Sequence, residues 1–285
     1  MIKKNSLNFI RAFLCSIVIA SPFLIRQIPY VKEKLSNGKK DYAYLEEPND
    51  SPETPEKPST DNSASNTNNS NENPIEKPEE KTLSFETVTN SYFDDALLIG
   101  DSRTVGIQKY GDLKNATYFC DTGMSIYNIY SKKLSVSGVG KVTLKELLHK
   151  KQFGKIYIML GINEIGNNMD KSAKKFQEVV KLLRDSQPNA IIFIQANLHV
   201  TKEKSEKGPT FNNRRIDKYN SKLAALADNK NIFYFDANSL FDDAGGNLRK
   251  DYTFDNTHIY AKYYVNWTRY IKEHGIIKTS EEQTI

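Results

Sequence analysis

The chain has 285 residues, with 40 Lys and Arg against 35 Asp and Glu, a pI near 8.9 and a mean hydropathy of −0.60. Two cysteines exclude a disulfide-built scaffold. The lysines are scattered along helix faces such as Lys171-Ser172-Ala173-Lys174-Lys175, with no arginine-rich stripe, which argues against a nucleic-acid binder. Composition shifts so sharply along the chain that only the part from about residue 83 onward can build a core.

Residues 1–30 read as an export segment. Lys3, Lys4 and Arg11 precede an uncharged run from Ala12 to Ile25, interrupted by Pro22. The run is short for a membrane span, but Ile2, Leu7, Phe9, Ile10, Ile28 and Val31 lengthen it if Arg11 and Arg26 snorkel. Val18-Ile19-Ala20 is a poor cleavage site, and Ala12-Phe13-Leu14 before Cys15 lacks the small residues of a lipid-attachment box. An uncleaved signal-anchor is therefore expected, with a cleaved signal peptide and a buried helix as the alternatives.

Residues 31–82 are expected to be a disordered extracytoplasmic linker. From Glu46 to Thr82 the chain holds six of its ten prolines, and ten acidic residues against three lysines. With almost no large apolar side chains it cannot bury enough surface to fold. As a flexible coil it separates its ends by roughly 30–35 Å. Residues 83–285 are left as one domain, and its mildly basic charge suits an anionic envelope.

In that domain, apolar runs bounded by turn residues predict strands at Ala96–Ile99, Ala116–Cys120, Lys155–Leu160, Ala190–Ala196 and Ile232–Asp236. Amphipathic stretches predict helices over Thr143–Lys151, Lys171–Ser186, Arg214–Asp228 and Tyr260–His274. Strands alternating with helices point to an α/β fold, a three-layer α/β/α sandwich around a five-stranded parallel sheet. Ligands of such sheets bind beyond the carboxyl ends of the strands. Those ends carry Gly100-Asp101-Ser102, Asp121-Thr122-Gly123, Gly161-Ile162-Asn163-Glu164, Asn197-Leu198-His199 and Asp236-Ala237-Asn238. Ser102 by itself reads equally well as a helix N-cap. Far downstream, Asp255-Asn256-Thr257-His258 supplies the base and carboxylate that an activated serine needs.

Taken together these blocks resemble the SGNH hydrolases, the GDSL-type esterases, over roughly residues 93–275. In that family the serine after Gly-Asp is the nucleophile, which falls on Ser102. The second block's glycine falls on Gly123, the third block's asparagine on Asn163, and Asp-x-x-His on Asp255 and His258. The resemblance implies a flavodoxin-like fold, a Ser102–His258–Asp255 triad, and an oxyanion hole made by Ser102, Gly123 and Asn163. Two residues depart from the pattern. Arg103 replaces leucine, which suggests a more polar mouth, and Glu164 replaces aspartate, so any hydrogen bond made there needs a longer side chain. Gly123 could equally be a turn glycine chosen for positive φ.

The expected function is an extracytoplasmic, membrane-anchored serine esterase that removes O-acyl groups, acetyl above all, from a cell-wall or surface polysaccharide. One alternative is an O-acyltransferase working beside a multi-span membrane acyltransferase. Another is a non-catalytic envelope-binding module on the same fold. The histidines at 149, 199, 258 and 274 show no metal-ligand spacing and no phosphate loop is present, so no cofactor is expected. His199 is expected to line or cap the site, Tyr263, Tyr264, Trp267 and Tyr270 to pack as core and surface aromatics, and Cys120 to be an unpaired strand residue.

Overall fold

The computed structural model describes residues 83–278. The expected export segment and linker lie outside the described residues, so neither is tested by the fold. Among the described residues no helix is long and apolar enough to cross a membrane.

Five parallel strands form the central sheet: β1 (Ala96–Gly100), β2 (Thr117–Cys120), β5 (Lys155–Met159), β6 (Ile191–Gln195) and β7 (Ile232–Phe235). Their spatial order is β2-β1-β5-β6-β7. This is a doubly wound arrangement, with the direction of strand addition reversing beside β1. Each strand is short and apolar, and its residues alternate between two buried clusters. Leu97, Ile99, Ile156, Ile158, Ile192 and Ile194 point to one face; Ala96, Leu98, Tyr157, Met159, Ile191 and Phe193 point to the other. Burial on both faces is what the continuous apolar runs require of central parallel strands.

Helices cover both faces. On the first lie α2 (Leu144–Lys150), α3 (Met169–Ser186) and α5 (Asn213–Ala224), contributing Leu147, Phe176, Leu183, Ile216 and Leu223. On the second lie α1 (Ser102–Tyr110) and α6 (Tyr264–Glu273), contributing Ile107, Trp267 and Ile271. Helix α2 starts in a capping box in which the Thr143 hydroxyl accepts from the Glu146 N–H and the Glu146 carboxylate accepts from Thr143. The expected three-layer sandwich is the observed architecture.

The differences are local. The predicted 214–228 helix stops at Ala224, and the 260–274 helix is split into a 3₁₀ turn, Ala261–Tyr263, and α6. A small antiparallel hairpin, β3 (Leu134–Val136) with β4 (Gly140–Val142), and the short helix α4 (Lys202–Glu206) were not predicted. Three-residue strands with few apolar positions leave almost no period to read.

Helices α1 and α6 approach closely at Gly106, where an added Cβ would collide with the Tyr264 ring. We expect Gly106→Ala to destabilise the protein. Overpacking costs about 1–3 kcal/mol, against about 1 kcal/mol gained from alanine's helix propensity. Thermal unfolding measures the balance, and an unchanged or raised Tm would show that the Tyr264 ring yields freely.

Candidate active site

The sheet's carboxyl edge is where α1 begins. Asp101, not Ser102, is the N-cap: its Oδ1 accepts the Arg103 N–H at 2.9 Å. The Ser102 hydroxyl is thereby released from capping and lies 2.8 Å from His258 Nε2, across 156 residues of chain.

His258 comes from a hairpin-like loop closed by an antiparallel bridge between Thr253 and Ile259. Asp255 builds that loop and also orients the imidazole. Its Oδ1 accepts the backbone N–H groups of Thr257 and His258 at 2.9 and 2.8 Å, while its Oδ2 lies 2.6 Å from His258 Nδ1. Partial burial opposes the charge, but the His258 backbone N–H, the His258 ring and the Thr257 N–H overcome it and hold the Asp255 pKa down at about 2. An ionised carboxylate only accepts, so Nδ1 carries the proton and Nε2 presents its lone pair to the Ser102 hydroxyl. Asn256, at the tip, has φ +68°, and its carbonyl accepts the Thr201 N–H at 3.1 Å, tying the loop to the segment after β6.

Gly123 lies three residues past the end of β2, one strand over from Ser102, with Gly100 in register with Cys120. It has φ +74° and nothing within contact distance of a Cβ added there, so turn conformation is what requires a glycine. No hydrogen bond to another described residue uses the Ser102 or Gly123 backbone N–H.

The third block clamps the second. Asn163 Nδ2 donates to the Met124 carbonyl at 2.7 Å, and Glu164 Oε1 accepts the Ile126 N–H at 2.8 Å. Glu164, which stands where an aspartate was expected, thus reaches a neighbouring loop from a buried position. Burial pushes its carboxyl up to about 7, with the Ile126 N–H pulling the other way and the charge of Asp101 reinforcing the rise. Gly161, which opens this block, has φ +146°, and an added Cβ would strike Tyr219 and Asn197.

Arg103 corrects the expectation of a polar mouth: the side chain turns inward and is 1 % exposed. Its guanidinium pairs with buried Asp101 at 3.0 Å and donates to Asn197 Oδ1 at 3.0 Å and to the Leu198 carbonyl. Asn197 in turn donates to the Leu160 carbonyl and is bonded to Asn220 through both backbone and side chain. This lattice joins the ends of β1, β5 and β6 under the serine. Sequence reading missed it; the only signal was the unusual run of asparagines at strand ends.

His199 sits in a clamp of its own. Its Nδ1 lies 2.7 Å from Asp242 and its Nε2 2.6 Å from Asp217. Burial disfavours the imidazolium, but Asp242 and then Asp217 outweigh it and push the pKa up to about 9. Trp267 and Tyr264 are core residues, as expected. Cys120 is a free thiol at the end of β2, half-buried, and burial pushes it up to about 12. Among the described residues no group of His, Cys, Asp and Glu is arranged to hold a metal ion. A cavity of about 750 Å³ opens at the opposite, amino end of the sheet, beside Asp95, Lys155, Ile191 and Asn231. None of the four blocks reaches it.

A five-stranded parallel sheet that gathers serine, glycine, asparagine and histidine at its carboxyl edge defines the class of SGNH-type α/β hydrolases. Residues 98–264, more than half the chain, match the GDSL-like Lipase/Acylhydrolase family. The chain belongs to that family, and the protein is an SGNH serine esterase.

Among solved structures, a Streptococcus pneumonia protein described provisionally as a platelet activating factor shares the fold. It is 19% identical with a TM-score of 0.50, over 63% of this chain and 82% of that one. A GDSL-like lipase from Bacteroides thetaiotaomicron is 12% identical with a TM-score of 0.47, over 65% of this chain and 87% of that one. A catalytic mutant of an acetylxylan esterase from Geobacillus stearothermophilus is 13% identical with a TM-score of 0.45, over 64% and 94%. No curated protein matches the sequence.

Two outcomes follow from the buried charges. Arg103→Met strands Asp101 in the interior and should cost about 3–5 kcal/mol of stability, read from urea unfolding. The clamp at His199 has a raised pKa, so its contribution is complete below the ordinary histidine value of about 6.5 and fades as pH rises through about 9. The gap in urea midpoint between wild type and His199→Gln should therefore narrow between pH 6 and 10; a constant gap would contradict a charged clamp.

Proposed function

We propose that Ser102 is the nucleophile of an extracytoplasmic, membrane-tethered esterase that removes O-acyl groups, acetyl above all, from a cell-envelope carbohydrate. The observation that carries this reading is the continuous hydrogen-bonded chain from Ser102 Oγ through His258 to Asp255. Ser102 Oγ attacks the ester carbonyl while His258 Nε2 takes its proton, and the Asp255 carboxylate stabilises the imidazolium. The oxyanion is received by the Ser102 and Gly123 N–H groups and by the second amide hydrogen of Asn163, the first being held by the Met124 carbonyl. His258 then protonates the departing sugar hydroxyl, and a water activated by the same imidazole hydrolyses the acyl-enzyme.

The exposed aromatics on the His258 loop support a carbohydrate. Phe254, next to Asp255, is 71% exposed, and its ring lies 6.0 Å from that of Tyr260. Large apolar faces left in water beside a reactive serine offer a surface for the C–H face of a sugar ring. The export segment and linker expected from the sequence support a location outside the cytoplasm, on a tether that reaches polymer.

Ser102→Ala should abolish labelling by a fluorophosphonate and the release of acetate from 4-nitrophenyl acetate. Asp255→Asn should keep the fold but lower kcat by about 10³–10⁴. Undiminished turnover in either variant would remove the assigned residue from the mechanism. Free acetate from acetylated glycan supports hydrolysis over transfer.

A further inference from the structure

A groove of about 360 Å³ beside the Asp255 loop has Lys204, Lys207, Phe211, Asp255 and Asn256 in its lining. Its volume lies in the range of small-ligand sites, about 300–1,000 Å³. Two of its lining residues belong to the loop that carries His258. A polymer with one ester at Ser102 therefore has its neighbouring units within reach of this groove.

The charges around it are unbalanced. Lys204 has no carboxylate partner among the described residues; its ammonium sits 4.7 Å over the Phe211 ring. Lys207 and Lys250 share a single carboxylate, Glu203, at 2.5 and 2.8 Å, and Lys250 also donates to Asn256 Oδ1 at 2.6 Å. Two ammonium groups thus share one glutamate, and Lys204 adds a third positive charge beside them. Asp255, the carboxylate in the lining, is already committed to His258 and to its own turn. An apolar ring beneath an unneutralised ammonium suits a sugar ring that carries an acid.

We propose that this groove binds the acidic units of an O-acylated glycan, so that the preferred substrate is an anionic polymer and Lys204 and Lys207 are its specificity-determining residues. The proposal rests on the esterase reading above and adds the charge of the substrate. Because Lys207 is exposed and Lys204 only half-buried, the preference weakens as salt shortens the screening length.

The test uses the full chain and one polymer backbone in three forms: dextran, carboxymethyl-dextran and phosphorylated dextran, each chemically O-acetylated to the same degree, with acetate release as the readout. The expected result is a kcat/KM for an anionic form about ten times that for neutral dextran at low salt, collapsing between about 20 and 200 mM NaCl. The anionic form that is preferred names the acid group. Lys204→Gln with Lys207→Gln should bring the anionic-to-neutral ratio close to one, whereas Lys204→Arg with Lys207→Arg should keep it. A wild-type ratio near one, or a preference that survives the glutamine variant, overturns the proposal. The two readings fail separately. If 4-nitrophenyl acetate turnover is lost in Ser102→Ala, the esterase reading stands whatever the polymers show; if it persists there, that reading falls and the groove proposal with it.

Discussion

The carboxylate of Asp255 is the constraint on which the site depends. One oxygen holds two backbone N–H groups and so shapes the turn, and the other holds the ring of the histidine at the end of that turn. The same negative charge therefore sets where the imidazole is, how it is rotated and which nitrogen faces Ser102. Three residues is the spacing at which one short acidic side chain can do all of this, because its oxygens reach the N–H groups two and three positions ahead. The loop is held from outside by the bond from Thr201 to Asn256, so its geometry is inherited from the end of β6.

Beneath the serine lies a second constraint, the buried pair of Asp101 and Arg103. Taking both charges out of water is expensive, and it is tolerated because almost every polar atom involved finds a partner: the α1 cap, Asn197 and the Leu198 carbonyl. A side chain that might have decorated the entrance instead bolts the first turn of α1 to the ends of two other strands. Glu164 and Asn163 do the corresponding work for the Gly123 loop from the β5 side. Ser102, Gly123 and Asn163 are thus each backed by buried, hydrogen-bonded structure. The groove beside Asn256 is lined in part by the same loop that carries His258.

Much of the fold was legible because it is encoded locally. The five strands are short apolar runs that reach a glycine, aspartate or asparagine at their end or within two residues of it, and Thr143 with Glu146 announces the start of α2. The four blocks were legible for the same reason, each being a few consecutive residues. The direction of Arg103 was not. A charged residue in the first turn of a helix reads as exposed unless its partners are known, and two of these lie some 95 residues away. The partners of His199 were equally illegible: two acids on later segments hold both ring nitrogens. The β3–β4 hairpin escaped because its stability comes from packing on the domain and not from its own pattern.

By itself the sequence determined the alternation of strands and helices, the polar edge of the sheet and the Asp255–His258 turn, since each depends on side chains within a few residues of one another. Only the tertiary structure decided that the Ser102 hydroxyl meets the His258 ring, that Arg103 points inward and that Lys204 lies over the Phe211 ring without a carboxylate partner among the described residues. Those outcomes depend on distances between segments far apart in the chain. Such distances are set by how the sheet stacks its strand ends, which no local pattern records.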